Sequence, residues 1–172
     1  MRSATAPSVL RRLLGAAALA LALTSASGCT VPTDAVAGIS VTADGHLLGV
    51  MMVCGHRIDG ASLYISETPG VSPTVGHWTA DRPLTRGLTT WPLDSPAPVP
   101  GWTTDKNPAP LHPRAPYAFY GWTKDNSWSA ATVSFTLADL AGLTPGDVRY
   151  ETPGAAVTVP LAEFEAKACR RG

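Results

Sequence analysis

Eight of the 25 residues from Pro92 to Pro116 are proline, and no α-helix runs through such a stretch. Each ring removes a backbone donor and crowds the preceding turn, so an extended, polyproline-like connection is expected. Such a stretch can serve as a docking peptide for a partner; inside one domain, a rigid surface loop is the expectation. On either side the chain is cut into short pieces that alternate with the period of a strand. Ile39 and Val41 alternate with Ser40 and Thr42 over Gly38 to Ala43, and Asp44-Gly45 supplies a turn into the apolar run Leu47 to Cys54. Asp59-Gly60 makes a second turn, after which Leu63 and Ile65 alternate with Ser62, Tyr64 and Ser66. Val75 to Thr79 and Leu88 to Leu93 are shorter strand candidates, the second crossed by Pro92 and therefore an edge or a strand end. Tyr117 to Trp122 and Ala131 to Phe135 are spaced as a hairpin.

The tail differs. Thr136-Leu137-Ala138-Asp139 has the hydroxyl-x-x-acid spacing that satisfies free N–H groups of a first helical turn, and Gly142 suits its end. Pro145-Gly146 turns into a strand at Val148 to Glu151, and Ala156 to Val159 alternates as another. Pro160 to Ala168 reads as a terminal helix with Leu161, Phe164 and Ala168 on one side.

Leu111, Pro113 and Tyr117 carry a fold-level resemblance. Fibronectin type III domains have Leu, then Pro two residues later and Tyr six residues after the Leu, with the Tyr hydroxyl tying down the corner before its strand. The stretch from Leu111 to Thr136 resembles that pattern, including the hairpin ending in Ser134-Phe135-Thr136. The resemblance implies a mostly β chain, a fibronectin III- or immunoglobulin-like β-sandwich with short C-terminal helices. No counterpart exists for the tail from Leu137, and the family's early-strand Trp would fall near Cys54.

The N-terminus has the parts of an export signal. Arg2, Arg11 and Arg12 stand without acidic neighbours, and Leu13 to Leu23 is an 11-residue apolar run. A bilayer span needs about 20 such residues. Ala26-Ser27-Gly28-Cys29 resembles the lipobox of bacterial lipoproteins, in which the Cys thiol receives a diacylglyceryl group before cleavage on its N-terminal side. The resemblance implies a signal peptide at 1–28, lipidation of Cys29, a tether at 29–37, and one domain at 38–172 whose C-terminal elaboration begins near residue 137. The implied partner is the membrane, through the anchor, at its outer face. Ala26 stands where the family usually has Leu, which keeps ordinary cleavage and secretion as the alternative. The whole chain is also similar in organisation to small actinobacterial lipoproteins, which implies a location and no activity.

Assigning Cys29 to lipid leaves Cys54 and Cys169, an even pair in an oxidising compartment. A disulfide is expected; two unpaired thiols are the alternative. Removing the signal arginines leaves 10 basic against 13 acidic residues, a net of −3. Nothing in that balance would bind nucleic acid.

Chemistry is harder to find. His46, His56, His77 and His112 are separated by 10, 21 and 35 residues, without a zinc-ligand spacing. Strand alternation would place Met52, Cys54 and His56 on one face, and soft sulfur with one imidazole suits Cu(I). That gives Met52 and His56 as metal candidates, although a disulfide at Cys54 removes the thiolate and no cofactor is expected. Neither Gly-x-Ser-x-Gly nor Ser-x-x-Lys occurs, the carboxylates are scattered, and no phosphate-binding loop is present, so no catalytic residue is nominated.

Aromatics are the remaining signal. Five tryptophans lie within 51 residues, and planar rings on a sandwich stack on sugars or anchor a protein partner. Trp102 in the Pro-rich loop and Trp128 at the hairpin tip are the rings expected to be exposed, and Tyr120 and Trp122 share the strand face opposite Tyr117. These four are the candidate binding residues. The expected function is a non-enzymatic binding or interaction module of the cell envelope, with a polysaccharide or a protein as ligand. An envelope enzyme or accessory subunit, and a copper-handling lipoprotein, are the alternatives.

Overall fold

Alternation along the chain becomes two facing sheets once each strand finds its register. The computed structural model describes residues 30–67, 72–95, 97–106 and 110–170, so the expected signal segment and Cys29 lie outside the described residues. In the first sheet, β1 (Thr33–Val41) pairs antiparallel with β2 (Leu47–Val53), and β2 pairs with β5 (Gly87–Pro92) on its other side. A hairpin of β10 (Asp147–Thr152) and β11 (Ala155–Pro160) joins β1 at Gly38 and Ile39. The second sheet centres on β3 (Ile58–Ile65), between β4 (Thr74–Leu84) and β7 (Tyr117–Trp122). β6 (Trp102–Lys106) extends it beyond β4, while β8 (Ser129–Ala131) and β9 (Val133–Phe135) extend it beyond β7. β1 bridges the sheets, because its first residues run parallel to β8.

The space between the sheets is filled by inward residues of both, among them Ile39, Met51, Leu63, Trp78, Trp91 and Phe119. This is an immunoglobulin-like β-sandwich, mostly β as the strand periods require. Its corner matches the fibronectin-type expectation: the buried Tyr117 hydroxyl accepts the His112 backbone N–H at 2.6 Å.

A second apolar layer covers the outer face of the first sheet. Helix α1 (Leu137–Ala141) is short and capped by Thr136, and α2 (Leu161–Lys167) lies against the sheet. Phe164 of α2 is fully buried and packs with Val36, Val50, Val148 and Tyr150. A 3₁₀ turn, Ala168–Arg170, then brings Cys169 to Cys54, and the two form the expected disulfide. Covered on both faces, β1 buries six consecutive residues from Ala35 to Ser40. Gly38 is required there, since a Cβ would lie 2.6 Å from Val148 Cγ1.

Two expectations need correction. Residues 33–37 are not tether but the first half of β1, because Ala35 and Ala37 face the main core while Val36 faces the helix layer. The Pro-rich stretch is not one continuous loop either. β6 lies inside it, in the proline-free interval from Gly101 to Asn107, where the backbone keeps every donor it needs to pair with β4.

Candidate functional site

With the first sheet covered, the second sheet's outer face is the broad surface left open. Register decides what stands on it. Ser62 of β3 lies between Tyr120 of β7 and His77 of β4, and Gly60 lies between Trp122 and Thr79. Strand alternation therefore puts Ser62, Tyr64, His77, Tyr120 and Trp122 on one side, while Leu63, Trp78 and Phe119 point into the core.

Trp122 lies over Gly60. A Cβ on Gly60 would sit 2.3 Å from Trp122 Cζ2, so only glycine lets the indole approach the sheet this closely. The indole Nε1–H donates to Ser62 Oγ at 3.0 Å, and the His77 ring stacks on Trp122 with centroids 5.0 Å apart and planes 10° from parallel. Tyr64 meets Tyr120 edge-on at 5.8 Å. Burial, reinforced by Tyr120 and Glu151, pushes the Tyr64 phenol up from its ordinary value. Two shallow depressions flank Tyr120. One of about 370 Å³ reaches Tyr64, Ser72, Thr74 and Thr132; the other, of about 480 Å³, reaches His77, Trp122, Lys124 and Asn126, and both include Ser62. All four rings are half-buried, which fixes their orientation and leaves surface for contact.

Ser62, His77 and Asp105 form a row across three strands. Ser62 Oγ is 2.9 Å from His77 Nδ1, and His77 Nε2 is 3.7 Å from Asp105 Oδ2, which also accepts the Thr79 hydroxyl at 2.6 Å. The row resembles a nucleophile with its base and orienting carboxylate, but its surroundings oppose that chemistry. Ser62 is 6% exposed under the indole, and its strand is paired on both sides, so its backbone N–H groups serve the ladder and not an oxyanion. The arrangement instead locks His77 and Trp122 in place.

Trp128 belongs to a different neighbourhood. The hairpin tip turns through Asn126 at φ 55°, and Trp128 is tied back by its N–H to Thr123 Oγ1 at 3.0 Å. Its ring stacks on His56 at 3.6 Å, and Asp34 Oδ2 accepts both the His56 backbone N–H and, at 2.6 Å, the His56 ring. Arg57 bridges to Asp125 at 2.7 Å, while hydrogen bonds from the Ser127 hydroxyl and amide hold the Asp125 carboxyl well below the usual range. Trp128 is therefore half-covered, and it stands beside a hydrogen-bonded polar cluster at the sandwich end where β1 begins.

Two sequence-based candidates fall away from any shared site. Trp102 is 8% exposed and stacks on Trp91 at 4.1 Å; it sits opposite Ala80 in register, and that small inward residue leaves room for the indole. Met52 packs against the helix layer, while His56 lies in the turn after β2 and is engaged by Asp34 and Trp128, so alternation ends before it can align the pair. Among the described residues, no group of three or more His, Cys, Asp or Glu is placed to hold a metal. The residues that sequence reasoning missed are His77, Ser62 and Tyr64. Alternation placed Ser62 and Tyr64 together, but nothing local pairs β3 with β4. Compared with known proteins, the chain matches no family model, no curated protein and no solved structure.

Proposed function

We propose that this protein is an extracytoplasmic lipoprotein, held at the outer face of the cell membrane through Cys29, whose β-sandwich is a non-enzymatic binding module for a cell-envelope polysaccharide. The face bearing Tyr64, His77, Tyr120 and Trp122 supports this reading. Its rings offer planes to the apolar C–H faces of pyranoses, and Ser72, Thr132, Lys124 and Asn126 offer hydrogen-bonding partners to their hydroxyls beside those planes. The export segment and lipobox-like Cys29 support the location.

Tryptophan fluorescence titrated with peptidoglycan and arabinogalactan fragments tests the binding. A saturable change is expected, weakened at least about tenfold by Trp122→Ala, a loss of roughly 1.4 kcal/mol. No change at millimolar concentrations sinks it. Membrane fractionation of Cys29→Ala tests the anchor separately, and unchanged retention contradicts lipidation. The Ser62–His77–Asp105 row favours one second reading, an envelope hydrolase. Labelling by a fluorophosphonate in the wild type and not in Ser62→Ala would establish it in place of the first.

A further inference from the structure

A separate groove lies at the pole of the sandwich opposite the N-terminus of β1. There β1 and β5 end, β2 and β7 begin, and α1 follows β9. The groove measures about 550 Å³, inside the roughly 300–1,000 Å³ of small-molecule sites. Its lining is largely aliphatic: Leu47, Leu111, Leu137, Leu140 and Leu143 surround it, and the last four are only half-buried. α1 itself buries no residue, so its leucines keep apolar surface directed at this space. Leucines lining a concavity of this size can receive the hydrocarbon of a small ligand.

Among the described residues, one charged group lines the groove, Asp94. Its Oδ2 accepts the Leu47 N–H at 3.1 Å and lies 3.3 Å from His46 Nδ1; among the described residues neither interaction uses Oδ1. The carboxylate is thus fixed in position, with an oxygen left for a donor arriving from the groove. Asp94 is exposed at the groove's rim, where its carboxylate attracts a cationic head and repels an anionic one, with solvent screening part of the effect.

We propose that this groove binds an amphiphile with a single hydrocarbon chain and an ammonium head, the chain against the leucines and the head on Asp94. The site is independent of the aromatic face. Isothermal titration calorimetry of the purified protein with dodecylammonium, hexylammonium and dodecanoate, all below micellar concentration, tests it. Dodecylammonium should bind at one site per chain and at least about tenfold tighter than either of the others. Asp94→Asn should bring dodecylammonium and dodecanoate to within about twofold, and Leu143→Gln should weaken dodecylammonium at least about fivefold. Both variants should keep a cooperative urea transition. Equal affinity for the two head groups, equal affinity for the two chain lengths, a preference that survives Asp94→Asn, or no binding would overturn the proposal. Sedimentation showing a dimer that dissociates on Leu143→Gln would overturn it as well, since a second copy would then fill the groove.

Discussion

At the scale of single residues, the molecule depends on positions where one atom has a defined partner. Tyr117 is the clearest, since its ring is 1% exposed and its hydroxyl accepts the His112 N–H at the corner before β7. Tyr117→Phe keeps the ring and deletes the acceptor, leaving a backbone donor without its partner. A loss of about 1–2 kcal/mol is expected, read as a lower urea midpoint at unchanged slope. An unchanged midpoint would mean that the corner is held by its prolines alone. Gly60 shows the same dependence at the candidate site, because the place of the Trp122 indole is set by the absence of a neighbouring side chain.

Elements form where local chemistry and distant packing agree. α1 shows how far local chemistry reaches: Thr136 Oγ1 accepts the Asp139 N–H, and Asp139 Oδ2 accepts the Thr136 N–H at 2.8 Å. That reciprocal pair was legible from four residues of sequence, as were β7, the tail hairpin, α2 and the disulfide. The Thr136 backbone bond, with help from the Thr136 hydroxyl and Arg149, lowers the Asp139 carboxyl below its ordinary value. A lowered folded pKa means that this stabilisation is fully present above the unfolded value, about 3.9, and is lost as pH falls through the folded one. Asp139→Ala should therefore cost about 1 kcal/mol near neutrality, with wild type and variant converging in acid below about pH 4. A difference that persists undiminished in strong acid would assign the effect to packing. What sequence did not make legible has a common cause. β1 looked like a linker at residues 33–37 because burial on two faces removes alternation, and β6 was hidden because its pairing partner on β4 is more than 20 residues away. Trp102 was misplaced for the same reason, while His77 entered the site only through the register of β3 with β4.

For the whole molecule, the layers divide the work. The helix layer closes one face of the sandwich and leaves the other open. α2 has only seven residues, too few to persist alone in water, so Phe164 and the Cys54–Cys169 bond must hold it. The bond spans 115 residues, and restricting a denatured chain over that length is worth about 4–5 kcal/mol. Cys54→Ala with Cys169→Ala should lower stability by about 4 kcal/mol. Because the Trp91–Trp102 stack belongs to the core between the sheets, its near-ultraviolet circular dichroism should survive below the new unfolding midpoint. Amides of α2, by contrast, should exchange much faster than those of β3 and β7, since only the packing of Leu161, Phe164 and Ala168 then opposes undocking. Loss of the tryptophan signal together with the helix would show that the helix layer and the sandwich fold as one cooperative unit. A stability change below about 1 kcal/mol would show that the unfolded chain is already restricted without the bond.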